Sequence, residues 1–171
     1  MDAAEFNTTI FQPCRAWFVT ATKAAIPVTS QSDVLMLAIA GQESGWSDRV
    51  QSGAGPAHGF WQFEKGGGVA GVMGRYPNFV LAMAAKTGVI TEVTAAQVWL
   101  AMALPQGDGL SFGMARLLLW TDPTPLPAVG DEDDGWDYYQ SLWRPGAPSR
   151  SRWATVYPEA MAALSLTGAG T

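Results

Sequence analysis

The sequence has few residues that could bind a metal or form a covalent cross-link. Among its 171 residues there is one cysteine, Cys14, and one histidine, His58. One cysteine cannot form an intramolecular disulfide, and one residue of each kind falls short of a zinc ligand set. The glycine cluster at 66–68 lacks the Lys-Ser/Thr pair of a phosphate-binding loop, and the acidic run at 131–134 lacks the spacing of a calcium loop. We therefore expect no metal and no cofactor.

Positive charge and long apolar runs are also scarce. Ten Lys and Arg residues against fifteen Asp and Glu residues give a formal net charge of −5. We expect no nucleic-acid partner, because phosphate contacts require cations, and no membrane partner, because no apolar run approaches the roughly eighteen residues of a membrane span. Residues 1–5 lack the basic and apolar segments of a secretory signal. The expected place of synthesis is a host cytoplasm, so that work outside it needs a separate delivery route.

Apolar residues and tryptophan, in contrast, are plentiful. Apolar residues make up 48% of the chain and charged residues 15%, and there are eight tryptophans. This composition predicts one well-packed domain over 1–171, with its core at 33–121 and a C-terminal helical extension at 131–165. Large rings serve a core first, but their number also fits a cleft that stacks on sugar rings.

The hydrophobic periodicity predicts a mainly α fold. A central buried helix should begin at Ser32-Asp33 and run through an almost continuous apolar stretch to Glu43-Ser44. A long glycine-rich loop should occupy 46–74, with a possible short hairpin or helical turn. The other helices are expected at 11–25, 78–87, 94–104, 108–121, 131–143 and from a cap at Ser149 to 163.

Glu43 is the strongest candidate for a catalytic residue. A carboxylic acid that closes a buried helix is expected to have a raised pKa, because apolar surroundings disfavour the anion. Such an acid can donate a proton near neutral pH. The turn Gly59-Phe60-Trp61-Gln62 follows along the chain and supplies the aromatic and amide groups that a sugar-binding cleft needs.

These residues resemble the lysozyme-like superfamily of peptidoglycan-cleaving enzymes, especially soluble lytic transglycosylases and goose-type lysozymes. Members of that family carry a Glu-Ser pair at the end of a buried helix and, further on, a Gly-Leu-Met-Gln turn. The resemblance covers 33–63 and implies a lysozyme-like single domain. The segment 136–146 also looks like phage-encoded versions. The matching stretches are Glu43-Ser44 and Pro56-Ala57-His58-Gly59-Phe60-Trp61-Gln62.

The resemblance implies that Glu43 is the general acid for the bond between N-acetylmuramic acid and N-acetylglucosamine. In a transglycosylase the ionised Glu43 would then take a proton from the 6-hydroxyl of the sugar. Ser44 would hold the acid or the substrate, and Gln62 would bind N-acetyl or hydroxyl groups. Phe60 and Trp61 stand where the family has Leu and Met, and would form a cleft wall.

Four further residues are candidates near this site. A hydrolytic variant needs a second carboxylate to activate water, and Asp48 and Glu64 are both candidates for that role. The family's later Ala-Tyr-Asn-Ala-Gly segment has no counterpart, but Tyr139 could supply a substitute ring. His58 lies in the turn and is a candidate contact to substrate or a structural loop residue.

Two other functions stay open from the sequence. The missing Tyr-Asn segment and the negative charge also suit an inactive lysozyme-like adaptor that assembles with other virion proteins. A chitinase-like hydrolase is a further alternative. For the favoured enzyme, the expected partner is a peptidoglycan glycan strand, reached at the bacterial cell wall as a virion component or after release by a holin.

Overall fold

The computed structural model describes residues 1–51, 53 and 55–166. The chain is mainly helical, as predicted, with one antiparallel two-stranded hairpin. In the described part of the chain no helix is both long enough and apolar enough to cross a membrane. The α-helices are α1 Ala3–Phe6, α2 Gln12–Ala21, α3 Ser30–Ser44, α4 Ala70–Arg75, α5 Pro77–Thr87, α6 Ala95–Ala101, α7 Asp108–Thr121, α8 Glu132–Trp143 and α9 Arg150–Ala163; the strands are β1 Ala57–His58 and β2 Phe63–Glu64; shorter turns are π-helical at Asn7–Phe11 and Lys65–Val69 and 3-10 at Pro105–Gly107.

Helix α3 is the buried centre of the fold. Its residues from Ser32 to Gln42 are all buried, because the helix is apolar almost all round and packs against α7, α8 and α9. The helix begins earlier than predicted. Thr29, and not Ser32, is the N-cap, and the side chains of the two residues form a capping box in the first turn.

The end of α3 is shaped by a tryptophan that folds back over it. Gly45 ends the helix in the left-handed conformation, with φ of 61°. The indole Nε1 of Trp46 then donates a 2.9 Å hydrogen bond to the carbonyl of Leu37. Gly41 makes this possible, since a Cβ there would collide with the Trp46 ring. The last helical turn is therefore held firmly on one side.

The prediction of a first helix at 11–25 was wrong at both ends. The helical segment starts at Ala3, where the Asp2 side chain accepts from the Glu5 amide, and it passes through the π-helical turn into α2. That turn ends two residues before Pro13, which lacks the N–H for a helical hydrogen bond. The Asn7 side chain donates a 2.8 Å hydrogen bond to the carbonyl of Ala163, joining the first helical segment to the end of α9.

The glycine-rich segment is more ordered than predicted. The short hairpin is present, with Ala57 opposite Glu64 and His58 opposite Phe63. Beyond it the chain is helical and not irregular, because buried Val69 and Val72 anchor the π-helical turn and α4 in the core. Helices α5, α8 and α9 lie within one residue of their predicted ranges, and α7 matches its range at both ends. Helix α6 ends at Ala101, three residues before the predicted end.

Candidate active site

Glu43 lies in the last turn of α3 and lines a cleft of about 980 Å³. The floor of this cleft is the end of α3. Its sides come from the hairpin, the π-helical turn at Lys65–Val69 with α4, the end of α7, and the end of α8 with the loop after it. Gln62, Glu64 and Tyr139 line the same cleft, so the structure brings four of the sequence candidates together.

Tyr139 is the direct partner of Glu43. Its hydroxyl donates a 2.6 Å hydrogen bond to Oε1 of Glu43. The ring is 1% exposed and stacks on the ring of Trp153, with centroids 5.2 Å apart and planes 11° apart. Trp153 is in turn fixed by its Nε1, which donates to the carbonyl of Glu132 at 3.1 Å. Helices α8 and α9 therefore hold the hydroxyl at the acid.

Burial raises the pKa of Glu43 above that of an exposed glutamate. The hydrogen bond from Tyr139 and the charge of Arg152 act in the opposite direction, but they do not outweigh the loss of hydration. The pKa of Tyr139 is raised as well, by burial first and then by the Glu43 charge. The phenol therefore keeps its proton and remains a hydrogen-bond donor to the carboxyl group.

The hydrogen bond from Tyr139 engages one oxygen of the Glu43 carboxyl group. The phenol proton is directed to Oε1, so Oε1 acts as an acceptor. The amide of Gln42, the residue before the acid, donates to the Ser149 carbonyl at 3.2 Å. In its neutral form the carboxyl group of Glu43 can still donate its own proton to a ligand in the cleft.

Gln62 lies in the cleft with its amide nitrogen already in use. The backbone is left-handed, with φ of 49°, and Nε2 donates to the carbonyls of Gly59 at 2.9 Å and Asp48 at 3.3 Å. These bonds brace the turn that closes the hairpin. The amide oxygen is the part of the side chain that can accept a hydrogen bond from a ligand.

The structure separates the two candidates for a second carboxylate. Glu64 is exposed and lines the cleft at the end of the hairpin. Asp48 is also exposed but does not line the cleft, and its contribution is the backbone carbonyl that accepts from Gln62. If the chemistry needs a second carboxylate, Glu64 is the candidate in place.

Phe60 and Trp61 do not form a cleft wall, so that expectation was wrong. Both side chains are fully buried in the core. The Trp61 indole donates to the carbonyl of Met36 at 2.8 Å, and the Phe60 ring meets the edge of Phe6 at 4.8 Å. The large apolar area of these rings is better buried against α3 than left at a wet surface. These contacts anchor the turn at 59–62 to the core.

Ser44 and His58 are also displaced from substrate contact. The buried Ser44 hydroxyl donates to the carbonyl of Ala40 at 2.9 Å, one turn back along α3, and does not line the cleft. The His58 ring stacks on Trp99 with centroids 3.6 Å apart, and its Nδ1 lies 2.9 Å from the Trp99 carbonyl. The role as a structural loop residue fits His58, since these contacts fasten the hairpin to α6.

Several residues of the cleft were missed from the sequence. Gln42 precedes the acid directly, and its position one residue before Glu43 in a buried helix was the available signal. The others come together only through the fold. They include Gln51, Gly67, Gly71 and Leu142. Trp143 and Arg144, which also line the cleft, lie in the segment 136–146 that the sequence had already singled out.

Within 1–51, 53 and 55–166 no three His, Cys, Asp or Glu residues lie close enough to hold an ion. No known protein family, curated protein or solved structure matches this chain. The function therefore has to be inferred from the cleft itself.

Proposed function

We propose that this protein is a glycosidase that cleaves the β-1,4 bond between N-acetylmuramic acid and N-acetylglucosamine in peptidoglycan. The observation that carries the proposal is the Glu43 carboxyl, which is shielded from water, has a raised pKa and lines a large cleft. A general acid for glycoside cleavage must hold its proton near the working pH, and burial shifts the pKa of Glu43 in that direction.

The size and lining of the cleft support a polymeric sugar substrate. A volume of about 980 Å³ lies at the upper end of the roughly 300–1,000 Å³ range of ligand pockets, which suits several sugar rings better than one. Three amide side chains, Gln42, Gln51 and Gln62, line the cleft. The oxygen of the Gln62 amide can accept a hydrogen bond from a sugar hydroxyl or N-acetyl N–H group, while its nitrogen is held by the Gly59 and Asp48 carbonyls.

The proposed reaction begins with transfer of the proton from the Glu43 carboxyl group to the glycosidic oxygen. The bond from the muramic C1 to that oxygen breaks, and the sugar passes through an oxocarbenium-like state. In the transglycosylase route the 6-hydroxyl of the same sugar attacks C1 and returns its proton to Glu43, which forms an anhydro ring. In the hydrolytic route water attacks instead, with Glu64 as the candidate to activate it.

The decisive experiment is product analysis on purified sacculi by mass spectrometry. The wild-type protein is expected to release muropeptides, and Glu43→Gln is expected to release at least about a hundredfold less, because the proton donor is gone. Anhydro ends would identify a lytic transglycosylase, and reducing ends a muramidase. In the second case Glu64→Gln should also lose most of the activity.

The same experiment separates the alternatives. Equal release by wild type and Glu43→Gln would end the assignment of Glu43 as the acid. No release at any pH would end the proposal and favour an inactive adaptor of a virion. Cleavage of chitin oligosaccharides without cleavage of sacculi would favour a chitinase-like enzyme. We place the activity at the bacterial cell wall, with the protein delivered by a virion or released by a holin.

A further inference from the structure

Arg144 occupies an unusual backbone position at the cleft. It follows the last residue of α8 and ends that helix in the left-handed conformation, with φ of 50° and ψ of 51°. Glycine is the usual residue there, because a Cβ in this conformation costs about 1 kcal/mol or more. An arginine at the position therefore lowers stability, and the residue lines the cleft.

The charge of Arg144 is not used by the described part of the fold. The ion pairs in that part of the chain involve Arg15, Arg49 and Arg150. Arg144 makes one long contact, from Nε to the carbonyl of Ser141 at 3.4 Å, and its terminal nitrogens have no partner among the described residues. Among the residues that line the cleft, it is the one cation beside the acids Glu43 and Glu64.

Another part of the same cleft has been kept free of side chains. Gly67 and Gly71 line it, and a Cβ at either position would meet nothing within 4 Å. Neither backbone is left-handed, so neither packing nor conformation requires glycine. A glycine within a helix lowers its stability by about 0.5–1 kcal/mol relative to alanine. The advantage of glycine at these two positions is therefore the open space that it leaves in the cleft. The cleft thus has room for a substituent beside the sugar rings.

We propose that Arg144 binds a carboxylate carried by the muramic acid substituent, and so selects peptidoglycan over uncharged glycans. The inference rests on the proposed function and names the part of the substrate that gives specificity. A guanidinium presents two parallel N–H donors that match the two oxygens of a carboxylate. Muramic acid carries such a group in its peptide stem, or in its lactyl group when the peptide has been removed.

The test measures binding by calorimetry in the Glu43→Gln background, where no cleavage disturbs the measurement. The probes are a disaccharide-peptide fragment of peptidoglycan, glycan strands stripped of peptide by an amidase, and a chitin hexasaccharide. Loss of a charge-assisted contact is expected to weaken binding of the disaccharide-peptide by about tenfold or more in Arg144→Gln, with a much smaller change for chitin. Arg75→Gln, at an exposed arginine outside the cleft, is the matched control and should bind like its parent.

The stem and lactyl sources are separated by the stripped strands. If Arg144→Gln weakens binding of the peptide-bearing probe alone, Arg144 binds a carboxylate of the peptide stem. If it also weakens binding of the stripped strands, Arg144 binds the lactyl carboxylate in those strands as well. Arg144→Gly is the folding control, since it relieves the left-handed strain and should be at least as stable as its parent while losing the same selectivity.

The inference is overturned if Arg144→Gln and its parent bind the disaccharide-peptide equally, or if the parent does not bind it. Failure of the proposed function has a different result. In that case neither the wild-type protein nor any variant at position 144 releases muropeptides from sacculi.

Discussion

The hydroxyl of Tyr139 lies 2.6 Å from Oε1 of Glu43, although the two residues are 96 positions apart in the chain. The contact joins the end of the central helix to α8, and Trp153 of α9 backs the tyrosine ring. It fixes the orientation of the carboxyl group and moderates the rise in its pKa. Tyr139 is thus a positioning residue for Glu43. Removing its hydroxyl tests how the acid is placed while the acid itself remains.

Tyr139→Phe is expected to lower kcat on peptidoglycan by about ten- to a hundredfold, the equivalent of one charge-assisted hydrogen bond. The hydrogen bond lowers the pKa of Glu43, so its loss raises that pKa further and moves the alkaline limb of the pH–rate profile upward. Tyr138→Phe is the matched control, because Tyr138 donates to the Leu119 carbonyl and does not line the cleft. An unchanged pH profile in Tyr139→Phe would contradict this role.

Glu43→Gln is expected to make the protein more stable at neutral pH. The raised pKa of Glu43 means that the folded state binds its proton more tightly than the unfolded chain does. That contribution is fully present below the unfolded pKa and is lost as the pH rises through the folded pKa. Each unit of raised pKa corresponds to about 1.4 kcal/mol.

The measurement is the free energy of unfolding of both proteins in urea, from about pH 4 to about pH 8. The advantage of Glu43→Gln should grow with pH and shrink toward the acid end. Glu64→Gln removes an exposed carboxyl group of the same cleft and should differ little from wild type throughout. A gap between Glu43→Gln and wild type that is constant over the whole range would show that Glu43 is not held in a shielded site.

Trp61→Phe is expected to cost about 2–4 kcal/mol of folding free energy. The change leaves a cavity in the core and removes the hydrogen bond that the indole donates to the Met36 carbonyl. Trp120→Phe, at a tryptophan that is 43% exposed, should change stability by less than about 0.5 kcal/mol. Urea unfolding checks both values. If Trp61→Phe hardly changes the free energy of unfolding but impairs substrate binding, the role of Trp61 as a core residue is wrong and it contributes to the cleft wall.

Two glycines near the cleft should respond to alanine with opposite signs. At Gly59 φ is +76° and a Cβ would collide with the Ser111 hydroxyl, so Gly59→Ala should lose about 2 kcal/mol or more. At Gly71, within α4, a Cβ meets open space, and Gly71→Ala should gain about 0.5–1 kcal/mol. Thermal and urea unfolding of the two variants would show the difference. Equal effects would contradict the packing described for the turn.

The helices could be predicted where the signals are local. The limits of α7 and the cap at Ser149 follow from polar residues placed at the edge of apolar runs. The start of α3 was misplaced because Thr29 and Ser32 are both capping residues, joined in one capping box, and spacing alone does not rank them. The first helix was missed because a four-residue helix has no periodicity to detect; it is stabilised by the Asp2 cap and by packing against α9.

The candidate site was predictable in part, since Glu43, Gln62, Glu64 and Tyr139 were named from the sequence and line the cleft. The burial of Glu43 follows from the apolar run before it, and that is a property of one segment. The roles of Phe60 and Trp61 were not predictable, because a ring beside a turn suits the core and a cleft equally well. Contacts such as Tyr139 with Glu43 depend on how distant helices pack, and no residue spacing encodes them.

The bond from Asn7 to the Ala163 carbonyl gives the acid a dependence on residues far from it. It anchors the C-terminal end of α9, and the other end of that helix supplies the indole behind Tyr139. A substitution in the first two helical turns of the chain would therefore loosen the packing behind the Tyr139 ring without altering any residue that lines the cleft. Mutational scans of this protein should therefore find positions in the N-terminal helical segment at which substitutions impair activity.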